Sequence, residues 1–97
     1  IGGTYAVMPE LYLKIKELTD AGKVKEAREI QYAADAIIYA MCECHGNLYA
    51  VMKEILRIRE NLNIGGVRKP IPEIIPEDME QIKKCAGMID EAIKKYC

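Results

Sequence analysis

A mainly α-helical chain, with one N-terminal strand followed by about four helices, is what the sequence predicts. Three observations carry that expectation. Apolar residues recur at three- and four-residue spacing through four separate stretches. Glycine, proline and asparagine fall at the boundaries between those stretches. Only the opening Ile1-Gly2-Gly3-Thr4-Tyr5-Ala6-Val7 is dominated by strand-forming residues.

Taken in order, that opening segment reads as a short strand or strand end. Pro9 then suits a first helical position, and Glu10 suits the positive end of a helix. Leu11, Ile15 and Leu18 share one helical face, and Gly22 is placed as a C-terminal cap. A second helix is expected from about Lys23 to Glu43, burying Val24, Ala27, Ile30, Ala34, Ile37, Ile38 and Met41. His45-Gly46-Asn47 breaks it. The third turns Leu48, Val51, Met52, Ile55 and Leu56 inward and is stopped by Asn61 to Gly66. Val67 to Pro76 holds three prolines, which exclude a continuous helix, and its isoleucines Ile71, Ile74 and Ile75 suggest an extended segment laid over apolar surface. The last helix is expected from near Pro76 to Tyr96, with Met79, Ile82, Ala86, Ile89 and Ile93 as its stripe. Its acidic first turn and Lys94-Lys95 last turn complement the helix dipole.

A lone strand cannot satisfy its own backbone hydrogen bonds. It pairs with another copy, frays, or belongs to a sheet elsewhere in a longer chain. Ile1 standing inside an apolar run in place of a starting Met favours the last of these, so the chain reads as a fragment.

With 97 residues the chain suffices for one small domain, and 51% hydrophobic with 30% charged residues is ordinary for a globular one. A formal net charge of -1 provides no electrostatic attraction to nucleic acid or an anionic membrane, and no apolar run approaches a bilayer-spanning length. Without a secretory leader in view, the expected compartment is the cytoplasm, with Cys42, Cys44, Cys85 and Cys97 as free thiols.

Several residue groups invite a chemical reading. Cys42-x-Cys44-His45 resembles half a metal site, but residues two apart diverge on a helix and no second Cys/His pair exists, so no metal is expected. His45, the sole histidine, has no serine to activate, because the chain contains none; a helix-terminal role is expected. Tyr32 and Tyr39, seven residues apart, read as core or interface filling. No lysine stands out as desolvated enough to form a Schiff base. Gly2-Gly3-Thr4 has more content, since glycines let a ligand approach the backbone closely, although packing or a turn would use them equally well.

The run Ile1 to Val7, then Lys16-Glu17-Leu18-Thr19-Asp20-Ala21-Gly22-Lys23 continuing to Gln31, closely resembles the C-terminal part of N-acetylneuraminate lyases. So do Asn47-Leu48-Tyr49 with Lys53-Glu54-Ile55-Leu56, and Gly66-Val67-Arg68-Lys69-Pro70. The resemblance covers essentially the whole chain and places it in the superfamily that also holds dihydrodipicolinate synthases.

The resemblance implies the end of a (β/α)₈ barrel with a helical extension: residues 1–22 as the last strand–helix unit, residues 23–97 as the extension. It implies reversible aldol cleavage of N-acetylneuraminate to N-acetylmannosamine and pyruvate through a lysine Schiff base, with a tyrosine assisting proton transfer. Both residues belong to earlier barrel strands, so no catalytic residue is assigned here and the piece alone is expected to be inactive. No cofactor is implied. Gly2 and Gly3 fall where family members line the pocket with Gly-Ser, making them the expected substrate contacts, with Thr4 and Tyr5 as neighbours; Gly3 in place of Ser removes one hydroxyl. Partners implied are a sugar acid, pyruvate and further copies of the chain, usually as a tetramer. Two alternatives remain open: another superfamily activity (dihydrodipicolinate synthase-like, or a 2-keto-3-deoxy sugar acid aldolase), and a free-standing helical interaction module.

Overall fold

The computed structural model describes residues 2–97. Four α-helices, α1 (Pro9–Asp20), α2 (Val24–Cys42), α3 (Leu48–Glu60) and α4 (Met79–Tyr96), pack around a single apolar core. Helix α4 touches each of the other three, and α1 packs along α2.

The expected strand is not formed. Gly3–Ala6 is a 3₁₀ turn, closed by the N–H groups of Val7 and Met8 on the Thr4 carbonyl. Ile1, where that strand was to begin, lies outside the described residues. The physical reason is the one that made a single strand awkward: among the described residues no neighbouring strand offers hydrogen bonds, so this backbone closes its bonds locally. Val7 and Met8 at the end of the turn are nonetheless fully buried and anchor it to the core.

The helix boundaries follow their sequence signals. Pro9 opens α1. Gly22 takes φ +79° after its end, with Lys23 N–H reaching back to the Leu18 carbonyl at 2.8 Å. Asn47 caps α3 by accepting the Tyr49 N–H at 2.9 Å, and Asn61 ends it in the left-handed conformation. Pro76–Asp78 forms a 3₁₀ turn, so α4 proper begins at Met79, slightly later than the sequence suggests.

Most of the expected stripes are buried: Leu11, Leu18, Ala27, Ile30, Ala34, Ile37 and Met41 from α1 and α2, then Val51, Met52, Ile55, Ile82, Ala86 and Ile89 from α3 and α4. Each fully buried branched side chain is worth about 1.5–3 kcal/mol of transfer free energy. Val24 departs from expectation at 53% exposed, standing at the first residue of α2. The proline-rich segment also departs. Of its isoleucines only Ile74 packs on the core, while Ile71 and Ile75 face solvent. What holds the segment is polar: Pro72 accepts the Asn47 N–H at 3.0 Å, and Lys53 Nζ donates to the Gly66 carbonyl at 2.6 Å.

Candidate functional site

The 3₁₀ turn lies along α3. Gly3 sits over its N-terminal end, where a Cβ on Gly3 would stand 3.1 Å from the Tyr49 ring and 3.2 Å from the Met52 methyl. Val7 lies at the other end, its carbonyl accepting from Arg59 Nη1 at 3.2 Å. α3 thus meets the stretch at both ends, through the Tyr49 and Met52 side chains at Gly3 and the Arg59 side chain at Val7.

Gly2 and Gly3 are thereby held side by side, but each for a packing reason as well. A Cβ on Gly2 would meet the Tyr5 ring at 2.6 Å. Tyr5 in turn stands edge-on to Tyr12, with ring centroids 4.8 Å apart. The Thr4 hydroxyl and the Tyr12 hydroxyl are hydrogen-bonded at 2.7 Å, tying the turn to α1. An open groove of about 600 Å³ takes in Tyr5 of the turn and Tyr12 of α1 and continues past Leu13 and Lys16 to Gln31. The glycine pair is thus packed between the rings of Tyr5 and Tyr49.

Tyr49 and Arg59 were not singled out for this region by the sequence. Only the fold places both against the turn. Tyr32 and Tyr39 are not core, being 64% and 72% exposed on α2.

His45 stands in the loop beyond the end of α2, not at the helix terminus, and its partner is Asp78, which the sequence did not single out. His45 Nδ1 is 3.0 Å from Asp78 Oδ1, the same oxygen that accepts the His45 N–H at 2.8 Å. Asp78 Oδ2 accepts from Gly46 N–H at 3.0 Å and Ile75 N–H at 3.2 Å. Burial works to raise the Asp78 carboxyl; the N–H groups of His45 and Gly46, the His45 ring and the Ile75 N–H outweigh it and hold the group well below the usual carboxylate range. With all its acceptor capacity spent inward, this cluster is a clasp between the α2–α3 loop and α4.

Cys42, Cys44 and His45 do not converge, and among the described residues no group of three or more His, Cys, Asp or Glu side chains could hold a metal. Cys85 is buried, which pushes its thiol up to about 11, the neighbouring Cys44 adding to the shift. Among the described residues no helix is long and apolar enough to cross a membrane.

Backbone and sequence together match the helical C-terminal part of a sialic acid aldolase. The chain superposes over its full length on 32% of the Ruminococcus gnavus sialic acid aldolase, with a TM-score of 0.98 and 58% identity, and equally on a catalytic-lysine mutant of that enzyme. It is 58% identical over 96 residues to the N-acetylneuraminate lyase of Mediterraneibacter gnavus and 35% identical over 85 residues to that of Pasteurella multocida. These matches take in 99% and 87% of this chain but 30% and 28% of the relatives, so the chain spans about a third of their length. No family model matches it. The chain belongs to the N-acetylneuraminate lyase family.

Proposed function

We propose that the chain is the C-terminal portion of a Schiff-base-forming pyruvate lyase that cleaves N-acetylneuraminate to N-acetylmannosamine and pyruvate, and that it is inactive alone. The observation that carries this reading is identity of 58% sustained over 96 residues, with a backbone match at TM-score 0.98 to a sialic acid aldolase. Residues 1–22 are the barrel's last strand–helix unit, and residues 23–97 the helical extension. The whole enzyme works in the cytoplasm in carbohydrate metabolism and assembles from several copies, as a tetramer.

In that enzyme a lysine amine condenses with the keto carbon of the sugar acid, losing water. The resulting iminium accepts the electron pair of the breaking carbon–carbon bond while the sugar hydroxyl gives up its proton. Protonation of the enamine and hydrolysis then release pyruvate. The Ruminococcus gnavus aldolase has a catalytic lysine, and we place its counterpart in the two-thirds of the enzyme outside this chain. Gly2 and Gly3 contribute backbone at the substrate, their missing side chains making room for the Tyr5 and Tyr49 rings packed against them. Tyr49, whose ring lies beneath Gly3, forms the adjoining wall.

The test is reductive trapping. The full-length protein carrying this chain should be covalently labelled by pyruvate with borohydride and should release pyruvate from N-acetylneuraminate, whereas residues 1–97 alone should do neither. Labelling of a lysine within residues 1–97 would refute the allocation. Full-length protein that splits another 2-keto-3-deoxy sugar acid but not N-acetylneuraminate would refute the substrate.

A further inference from the structure

Arg59 has no place in the chemistry just described, yet its side chain, 14% exposed, spans three elements. Nη1 donates to the Val7 carbonyl at 3.2 Å, while Nε and Nη2 each stand 2.9 Å from Asp90 Oδ1 on α4. Glu60 Oε1 lies further off, at 3.8 Å. The guanidinium therefore grips the trailing end of the turn whose leading end is Gly2-Gly3. Between the two ends lie only Thr4, Tyr5 and Ala6, in a single 3₁₀ turn closed by Val7 and Met8 N–H groups on the Thr4 carbonyl. A turn that short transmits a shift at Val7 to Gly3 with little loss.

We infer that Arg59 is a positioning residue: by holding the Val7 carbonyl it sets the register of the turn along α3, and so the placement of Gly2 and Gly3 against the Tyr49 ring and the sugar acid. This rests on the proposed function, which puts the glycine pair at the substrate. The contact at Gly3 leaves little slack, because its Cβ position is already 3.1 Å from Tyr49 and 3.2 Å from Met52. Sliding the turn along α3 would either press Gly3 onto these side chains or lift it away. Arginine suits the task because its rigid fork reaches a carboxylate and a carbonyl at once, which an ammonium does less well.

The experiment compares three substitutions in the full-length protein, with N-acetylneuraminate as substrate. Arg59→Met should raise KM about tenfold, the scale of one charge-assisted hydrogen bond, and leave kcat within about twofold. Arg59→Lys, which keeps a donor for Val7, should fall between it and the parent. Asp90→Asn removes the charge on α4 but leaves the bond to Val7, so it should lower the melting temperature without moving KM. An unchanged KM in Arg59→Met overturns the inference. So does an equal KM rise in Asp90→Asn, since the arginine would then act only as a tie between helices. A parent protein that releases no pyruvate overturns the function beneath; an active parent with unmoved KM in Arg59→Met overturns this inference alone.

Discussion

The Asp78 carboxylate receives the backbone N–H of His45 at 2.8 Å across 33 residues of sequence. Together with Gly46 and Ile75 N–H groups on its second oxygen, this fastens the break between α2 and α3 to the start of α4. Because Asp78 immediately precedes α4, the charge also meets the positive end of that helix.

Asp78→Asn should therefore destabilise the fold despite its near-identical shape, since an amide turns one acceptor into a donor facing N–H groups. A loss of about 5–10 °C in melting temperature is expected for a domain of this size. The pH dependence has a definite sign. The carboxyl is depressed in the folded state, so its contribution is complete above the unfolded value of about 3.9 and is lost as pH falls through that region toward the folded value. Melting curves of the two proteins should converge as the buffer is taken below about pH 4; a gap that persists unchanged would contradict the assignment.

Ile82 is fully buried in α4, at the helix that touches every other. Ile82→Ala should cost about 2–4 kcal/mol, the transfer term plus the cavity left behind. Urea unfolding with an unchanged m-value would read it directly.

Two glycines should respond in opposite directions to the same change. A Cβ on Gly46 would stand 2.7 Å from the Ile74 Cα and 2.8 Å from its nitrogen, and backbone cannot swing aside as a side chain can. Gly46→Ala should destabilise by about 1–3 kcal/mol. Gly87, within α4, has nothing within 4 Å of its Cβ position, so Gly87→Ala should stabilise by about 0.5–1 kcal/mol through helix propensity. Equal shifts of the same sign would show that the loop contact with Ile74 is not rigid.

Thiol chemistry should sort the cysteines by burial. Cys42 is exposed and Cys85 is buried with its thiol raised to about 11. An aromatic disulfide reagent at pH 8 should modify Cys42 promptly and Cys85 only on unfolding. Prompt reaction of Cys85 in folded protein would place it on the surface.

The helices, their ends and most of their buried faces were legible because those signals are local. A 3.6-residue period, a proline at a first turn and a glycine or asparagine at a last one act over a few residues, and α1 to α4 fall where such marks put them. The resemblance to sialic acid lyases was legible too, being carried by side chains in order along the chain. The Gly2-Gly3 pair could be named from sequence, but not what flanks it.

What needed the tertiary structure involves partners distant in sequence. Whether Ile1 to Val7 favours a strand could be read from residue type, but a strand is made by its neighbours, and with none among the described residues Gly3–Ala6 forms a 3₁₀ turn. Val24 matches the helical period yet is exposed, at the first residue of α2. Tyr49 beneath Gly3, Arg59 on Val7 and Asp78 under His45 join residues 33 to 52 positions apart. Residue type and spacing along a chain encode which hydrogen bonds a side chain can make; only the packing of α3 and α4 decides which partner stands within reach.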